Sequence, residues 1–572
     1  MFARSSMWVS RRRISRSCAF ETCGRPRDRF LDRLRRRRRA ARKCSTLAWT
    51  SMQMTGGRMI GRRFAVLSGL VVASLTGASA AERPLADAAQ RADWGVVRAL
   101  VDEGVDVTAH QGDGATALHW AAYWDEVDLA DLLIRAGADV DAANDLGVTP
   151  LWAAAENRSA AVVRRLLDAG ANPNAPLLSG ETPLMTAARV GAADVARQLL
   201  EAGADPAATG GRNQTALMWA VAQRHPDVVA ALLDHGAAVD ARSDVWTEVV
   251  KTTPEPWNPE YVTQIPQGGY TPLLFAARVG DLASAKLLVA AGADVNDQPP
   301  YGTSAAVVAA HSGHGDVAVL LLEQGADPNA ADAGYTALHA AILHKDAKLS
   351  RALLDHGADP HAGVRRSTPV RRDAVDFYLH PSYVGATPFW LAARFNAPDI
   401  MRLLLERGAD PLVVHYPRYW PGSLSIRDER VQVEEGATTA LMAAAGLGGR
   451  DPLFSVDRLS RIAESAPVQS TRREPDPALR ERMMLEAVTI AVDREIDVNV
   501  ANAEGNTALH GAAGRGYDSV VEYLVAQGAR LDVRNADGRT PLALAQRGRV
   551  RGRNAAPHHS TVELLRRLGA GE

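Results

Sequence analysis

From Thr116 onward, short stretches rich in alanine and leucine alternate with stretches in which apolar side chains recur at helical spacing, and each alternation closes on small and acidic residues. The first kind is small-faced: Ala121-Ala122 and Ala187-Ala188 leave no bulk on one side, so a neighbouring helix can approach closely. The second kind is amphipathic, as at Val162, Val163, Leu166 and Leu167, and predicts a helix with one buried stripe. A threonine followed by proline or alanine opens most short stretches. Its hydroxyl suits the free backbone donors of a helix start, where proline is also tolerated at the first position. The glycine that ends the second stretch suits the left-handed residue of a helix terminus, and Asp and Asn populate the turn that follows.

The pattern repeats. Thr116-Ala-Leu-His, Thr149-Pro-Leu-Trp, Thr182-Pro-Leu-Met and Thr215-Ala-Leu-Met lie 33 residues apart. The series resumes at Thr271-Pro-Leu-Leu, the degenerate Ser304-Ala-Ala-Val, Thr336-Ala-Leu-His, Thr387-Pro-Phe-Trp, Thr439-Ala-Leu-Met, Thr507-Ala-Leu-His and Thr540-Pro-Leu-Ala, which makes eleven units. About 20 residues after each comes a second signature, as in Leu132-Leu-Ile-Arg-Ala-Gly137-Ala-Asp and Leu321-Leu-Glu-Gln-Gly325-Ala-Asp. Arg83-Pro-Leu-Ala-Asp-Ala-Ala, followed by Gly104-Val-Asp, reads as a twelfth, N-terminal unit without the threonine.

The threonine starts, alanine pairs, Leu-Leu-x-x-Gly-Ala-Asp endings and period together resemble the ankyrin repeat family over roughly residues 82–572, with departures at Ser304, at Glu495-Ile496 and at four long insertions. The resemblance implies an all-α solenoid: each unit is two antiparallel helices and a projecting turn or hairpin, and the core exists only between stacked neighbours. In related repeats the positions just past the alanine pair line a concave binding face. That correspondence makes Tyr123, Trp124, Arg189, Arg278, His311, Arg394 and Phe395 candidates for partner contact.

Three insertions widen the spacing to 56, 51 and 52 residues before Thr271, Thr387 and Thr439. Residues 243–266 hold Trp246, Trp257 and Tyr261; residues 364–384 hold Phe377, Tyr378 and Tyr383; residues 413–437 hold Tyr416, Tyr419 and Trp420. All three should extend turns on the same edge of the stack. Two readings of the aromatic residues stay open: large contact area for a partner at little ordering entropy, or rings that pack each loop onto its own repeat. A fourth insertion interrupts the unit that starts at Thr439, and its stretch from Ser465 to Pro477 reads as a flexible linker. The expected division is 81–242, 267–363, 385–412, an interrupted unit over 438–504 and C-terminal repeats over 505–572, with the insertions between.

Composition changes the picture at the N-terminus. Residues 1–63 hold 19 Lys and Arg against three acids, while the remainder has 46 basic against 63 acidic residues, a balance that opposes nucleic-acid binding. Residues 59–80 combine MIGRR, the apolar run FAVLSGLVVASL and small residues ending in Ala78 and Ala80, which is the pattern of a secretory signal peptide. The expected mature chain begins at about Ala81, is exported to the periplasm or the extracellular space, and has no integral membrane span. Residues 1–58 are then a basic segment, disordered or untranslated upstream of Met52, Met54 or Met59. Cys18, Cys23 and Cys44 all lie in that head, so no thiol nucleophile or cysteine-ligated metal is available downstream.

The remaining chemistry is sparse. His119, His339 and His510 occupy the fourth position of the Thr-Ala-Leu-His motif, where the resemblance implies hydrogen bonds between neighbouring turns. His311 and His314 lack further ligands, and no GxxxxGK[ST], GxSxG or HExxH occurs. The sequence is therefore read as a non-enzymatic, monomeric scaffold with no cofactor and no metal, binding a protein partner through its concave face and aromatic insertions. The rival reading is a small-ligand or carbohydrate binder, or an enzyme, with Trp246, Trp257, Tyr416 and Trp420 forming a pocket.

Overall fold

The threonine starts and glycine ends set the helix boundaries in the computed structural model, which describes residues 84–251, 262–368, 379, 381–416, 437–448, 476–547 and 557–571. The expectations for residues 1–58 and 59–80 lie outside these residues. Among the described residues there are twenty-four α-helices, in antiparallel pairs. The first pairs are α1 (Pro84–Gln90) with α2 (Trp94–Asp102), α3 (Ala117–Trp124) with α4 (Val127–Arg135), and α5 (Pro150–Glu156) with α6 (Ala160–Asp168). They continue as α7 (Pro183–Val190) with α8 (Ala193–Glu201), and α9 (Ala216–Ala222) with α10 (Pro226–Asp234). After a hairpin of β1 (Val245–Lys251) and β2 (Val262–Gly268) come α11 (Pro272–Val279) with α12 (Leu282–Ala290), α13 (Ala305–His311) with α14 (Gly315–Glu323), and α15 (Ala337–His344) with α16 (Ala347–Asp355). The last are α17 (Pro388–Arg394) with α18 (Pro398–Glu406), α19 (Ala440–Ala444) with α20 (Pro477–Val492), α21 (Ala508–Ala513) with α22 (Asp518–Ala526), and α23 (Pro541–Arg547) with α24 (His559–Arg567).

Most first helices start on a capping side chain, although Thr271 makes no such bond. Thr182 is extended, with φ −85° and ψ 164°, and its hydroxyl accepts from the Met185 amide while Pro183 opens the helix. Ser304, the degenerate start, caps Val307 in the same way. First helices pack on first helices of the next pair and second helices on second helices. Ala121, Ala122, Ala187 and Ala188 are wholly buried at these contacts, and so are Leu129 and Leu133 of α4 and Leu166 of α6. Burying one such leucine contributes roughly 2 kcal/mol, and every one of these contacts needs a neighbouring unit.

Two polar devices repeat along the stack. In the first, Thr336 N–H donates to His339 Nδ1 at 3.0 Å, and His339 Nε2–H donates to the Ala362 carbonyl at 2.8 Å in the following turn. His119 bridges in the same way to Val148 and His510 to Arg539. This pairing fixes the neutral tautomer with the proton on Nε2. In the second, Asn174 Nδ2 donates to the Gly203 carbonyl at 3.0 Å and its Oδ1 accepts from Asp205 N at 2.8 Å. Asn296, Asn329 and Asn499 repeat both bonds with their own neighbours. The asparagine amide supplies a donor and an acceptor together, whereas the carboxylate of Asp141, at the corresponding place, can only accept and does so from Asn172 N.

The interrupted unit keeps its place: α19 packs on α17 and α21, and α20 packs on α18 and α22. Asp476 caps α20, so Pro477, read as the end of a linker, is its first helical residue; most of that linker lies outside the described residues. Glu481 near the start of α20 accepts from the Ser519 amide at 2.8 Å and hydroxyl at 2.7 Å.

A third contact joins the turns between paired helices. Gly191 follows α7 with φ +73°, and a Cβ there would lie 2.5 Å from the His225 ring of the next pair. Gly170, at φ +89°, has open space instead. Gly170→Ala should therefore cost only left-handed strain, about 1–2 kcal/mol, whereas Gly191→Ala should cost more because the imidazole must move. Chemical denaturation of both variants checks this ordering, and equal losses would contradict it.

Candidate partner-binding surface

Among the described residues, the turns that follow second helices form an edge on which several neighbouring tips are hydrogen-bonded. Asp145 N donates to Asp113 O at 2.9 Å, Leu178 N to Leu146 O at 3.1 Å, and Asp244 N to Arg212 O at 2.8 Å. Asn144 Oδ1 shapes one tip by accepting from the Leu146 and Val148 amides at 3.0 and 2.9 Å. At the apex of this turn Leu146 is 51% exposed, and its bonded neighbour Leu178 is 81% exposed.

The first aromatic insertion continues the edge as an antiparallel ribbon in which Val245 pairs with Gly268 and Lys251 with Val262. Strand alternation sorts its side chains. Val250 and Ile265 are buried and Trp246 is half-buried, while Val245 and Val249, on the other face, are 53% and 58% exposed. Trp246 lies beneath the Arg212 guanidinium, 4.3 Å from the ring centroid. Gly268, at φ +85°, leaves the space that this indole fills: a Cβ there would meet the ring at 2.5 Å. Arg242 braces the root, donating to the Gly269 carbonyl at 3.0 Å and pairing with Asp297 of the next turn.

The other two insertions are tied together at their bases. His415 and Thr438 exchange backbone hydrogen bonds at 2.9 Å, and His415 Nε2–H donates to the Ser382 carbonyl at 2.8 Å. The Trp390 ring lies 4.3 Å from His415 and 6.1 Å from Tyr383, which in turn meets Phe395 edge-on at 5.6 Å. Trp390 Nε1–H donates to Thr438 O at 3.1 Å. Tyr383 and Phe395 are thus buried in a cluster at the base of both loops, and the Arg394 side chain is buried as well. Tyr416, one residue past His415, is 64% exposed. Trp257, Tyr261, Tyr378, Tyr419 and Trp420 lie outside the described residues.

The remaining candidates sit at the ends of first helices. Tyr123 is buried between Trp120 and Trp124, with ring centroids 6.0 and 5.4 Å away. Gln111 extends this cluster to the N-terminal pair, accepting from Trp120 Nε1 at 3.1 Å and donating to Asp87 at 2.6 Å. Arg189 is half-buried, paired with Glu156 and with Glu181 at 3.3 Å; burial opposes its charge, but the two carboxylates prevail and raise its pKa. Arg278 lies over Tyr270 at 5.8 Å, and the half-buried His311 lies 5.6 Å from Tyr335. Leu146 and Leu178 went unread in the sequence; the available signal was leucine at the apex of an Asn- or Ser-Gly turn, where polar residues are usual.

A cavity of about 160 Å³ at the root of the hairpin is lined by Val239, Asp240, Arg242, Thr271, Ala293, Asp294 and Asp297. It contains no ring and falls below the size of ordinary small-molecule sites. Among the described residues no cluster of three or more His, Cys, Asp or Glu could hold a metal ion, and no helix is long and apolar enough to cross a membrane.

The family described as ankyrin repeats (three copies) matches residues 85–177, 172–243, 249–332, 273–364, 331–415 and 478–570, most of the chain. The chain belongs to the ankyrin repeat family. Among curated ankyrin-repeat relatives, the mouse B-cell lymphoma 3 protein homolog is 34% identical over 236 residues, 41% of this chain and 38% of that protein. A putative ankyrin repeat-containing protein of Treponema pallidum is 46% identical over 96 residues, 16% of this chain and 32% of its own length. The Arabidopsis thaliana E3 ubiquitin-protein ligase KEG is 29% identical over 290 residues, 49% of this chain but 16% of that protein. The chain thus spans well under two thirds of each relative. A solved structure, the human ASB11 ankyrin repeat domain, aligns at 24% identity with a TM-score of 0.34, covering 48% of this chain and 99% of that domain.

Burial sets the titration of this ankyrin stack. Desolvation holds His339 and His415 down at about 4, against an ordinary value of 6.5. Between those values the unfolded chain binds protons that the folded chain refuses, so stability is lost as pH falls from about 6.5 to about 4. Each group accounts for on the order of 3 kcal/mol of that loss. Melting followed from pH 7 to pH 4 should show the decline, and a His339→Gln/His415→Gln double variant, less stable at pH 7, should show a shallower one. An unchanged slope would contradict the assignment.

Proposed function

We propose that this chain is an exported, non-enzymatic scaffold of twelve ankyrin units that binds a protein partner along its turn edge. Ankyrin repeat proteins generally mediate protein–protein interaction. The observation that carries the assignment to this edge is the exposed apolar row Leu146, Leu178, Val245 and Val249. The Leu146 and Leu178 tips are hydrogen-bonded to each other and Asp244, beside Val245, is bonded to Arg212, so a partner covering them meets little ordering cost. Arg212 and Trp246 beside the row supply residue types that dominate interface energies.

The Met59–Ala80 pattern supports export, to the periplasm or outside the cell. The histidines support a role without catalysis, because His119, His339 and His510 are neutral bridges between units and His415 roots two loops.

Capture from the native envelope fraction tests the reading, using the unaltered chain and a Leu178→Ser/Val249→Ser variant of equal helix content. Both substitutions fall on exposed side chains, so stability should change by less than about 0.5 kcal/mol. A protein retained by the unaltered chain and lost from the variant is the expected result. Equal retention by both, or none by either, would remove the turn edge from partner binding.

A further inference from the structure

The joint at the root of the hairpin lacks the amide that ties several others. Asp240 stands four residues after Gly236, the place that Asn174, Asn296 and Asn329 hold after Gly170, Gly292 and Gly325. A carboxylate therefore replaces the group that donates to the glycine carbonyl of the next turn and accepts from that turn's amide. Asp141 carries the same carboxylate and still accepts from Asn172 N. The Asp240 carboxylate does not: among the described residues it makes no hydrogen bond and no ion pair. The cavity of about 160 Å³ lies between its turn and the next, against Asp294 and Asp297.

Two more polar groups on the wall of this cavity lack partners. Thr271 is 4% exposed, yet its hydroxyl, unlike those of Thr182 and Thr215, caps no amide and finds no other bond. Asp297 pairs with Arg242 through Oδ1 and leaves Oδ2 buried without a donor. Alanine holds the place of Asp297 at Ala142, Ala175, Ala208 and Ala330, so its carboxylate is no part of the ordinary repeat.

The groups left over are acceptors. Arg242 is the one cation on the wall, and its bonds run to the Gly269 carbonyl and to Asp297. Asp294 accepts from the Asn296 amide at 2.9 Å and keeps its charge. Three carboxylates against one guanidinium draw a cation to the cavity, and among the described residues no acidic cluster suits a metal ion. A lysine side chain brings what is missing: an ammonium with three donors and no acceptor, on a methylene stem that Val239 and Ala293 can line.

We propose that this cavity receives a lysine side chain of the protein partner. The ammonium takes the place of the missing amide donor at the joint, and its charge is met by Asp240, Asp294 and Asp297. The inference rests on the protein-binding reading and adds to the apolar row a charged anchor at the hairpin root, where Arg242 precedes the exposed Val245 by three residues.

The probe is acetyl-lysine methylamide with a free side-chain amine, titrated into the full chain while the methyl resonances of Val239, Thr271 and Ala293 are followed by NMR. The same compound acetylated on its side chain is the uncharged control, and calcium chloride is the competing cation. Asp240→Asn supplies the missing amide and closes the cavity, and Asp141→Asn makes the same change at a joint whose carboxylate is already bonded. The expected result is saturable shifts of the three methyls with the free amine and binding at least fivefold weaker for the acetylated control. Asp240→Asn should be at least as heat-stable as the parent and bind the amine at least fivefold more weakly, while Asp141→Asn stays within twofold of the parent. No shift at these methyls, equal shifts from the acetylated control, a tighter response to calcium than to the amine, or parental binding by Asp240→Asn would overturn it. Retention of the native partner through Leu178 and Val249 is untouched by those outcomes, and its loss leaves the amine titration as it was, so the two readings fail separately.

Discussion

The contact between one helix pair and the next is the constraint on which the structure depends. A first helix of five to eight residues faced with alanine, and a second helix of nine residues in every pair but that of α20, present apolar surface that neither can cover alone. Stacking covers it, and the polar groups then have to be satisfied across the same boundary. The histidine bridge, the asparagine bridge and the histidine stacked on glycine each do so, and each spans two units. Because His339 is buried and its Nδ1 accepts from the Thr336 amide, it stays neutral, and the joint that is sound at neutral pH weakens in acid.

This constraint divides the molecule by chemistry. The histidines at the joints are neutral and bonded, and exposed apolar side chains stand on the turn tips at Leu146, Leu178, Val245 and Val249. The aromatic insertions follow the same division. Trp246 is held by Arg212 on an exposed ribbon, whereas Tyr383 packs between Trp390 and Phe395 of the stack. One kind of sequence feature, an aromatic residue in a long insertion, thus has two outcomes that depend on whether a neighbouring unit offers an apolar surface to cover it.

The legible parts of the sequence were those governed by local rules. Thr182 with Pro183 marks a helix start because capping needs only residues within one turn, and Thr336 with His339 marks a bridge because the motif recurs. The insertions obey no such rule. Val245 to Lys251 alternates about a half-buried Trp246, but its partner strand begins at Val262, and that pairing is a tertiary fact. Arg394 follows an alanine pair, the position that the resemblance assigns to a concave face, and its side chain is buried, which no periodicity in the sequence announces. Leu178 was passed over because one leucine in a turn carries no period.

Native-state hydrogen exchange on a His339→Gln variant tests most directly the claim that stability resides in the joints between units. The account predicts faster exchange in α15 and also in the packed helices α13 and α17 on either side, with α3 and α5 unchanged. Faster exchange confined to residues 336–344, with both neighbours as protected as before, would contradict it.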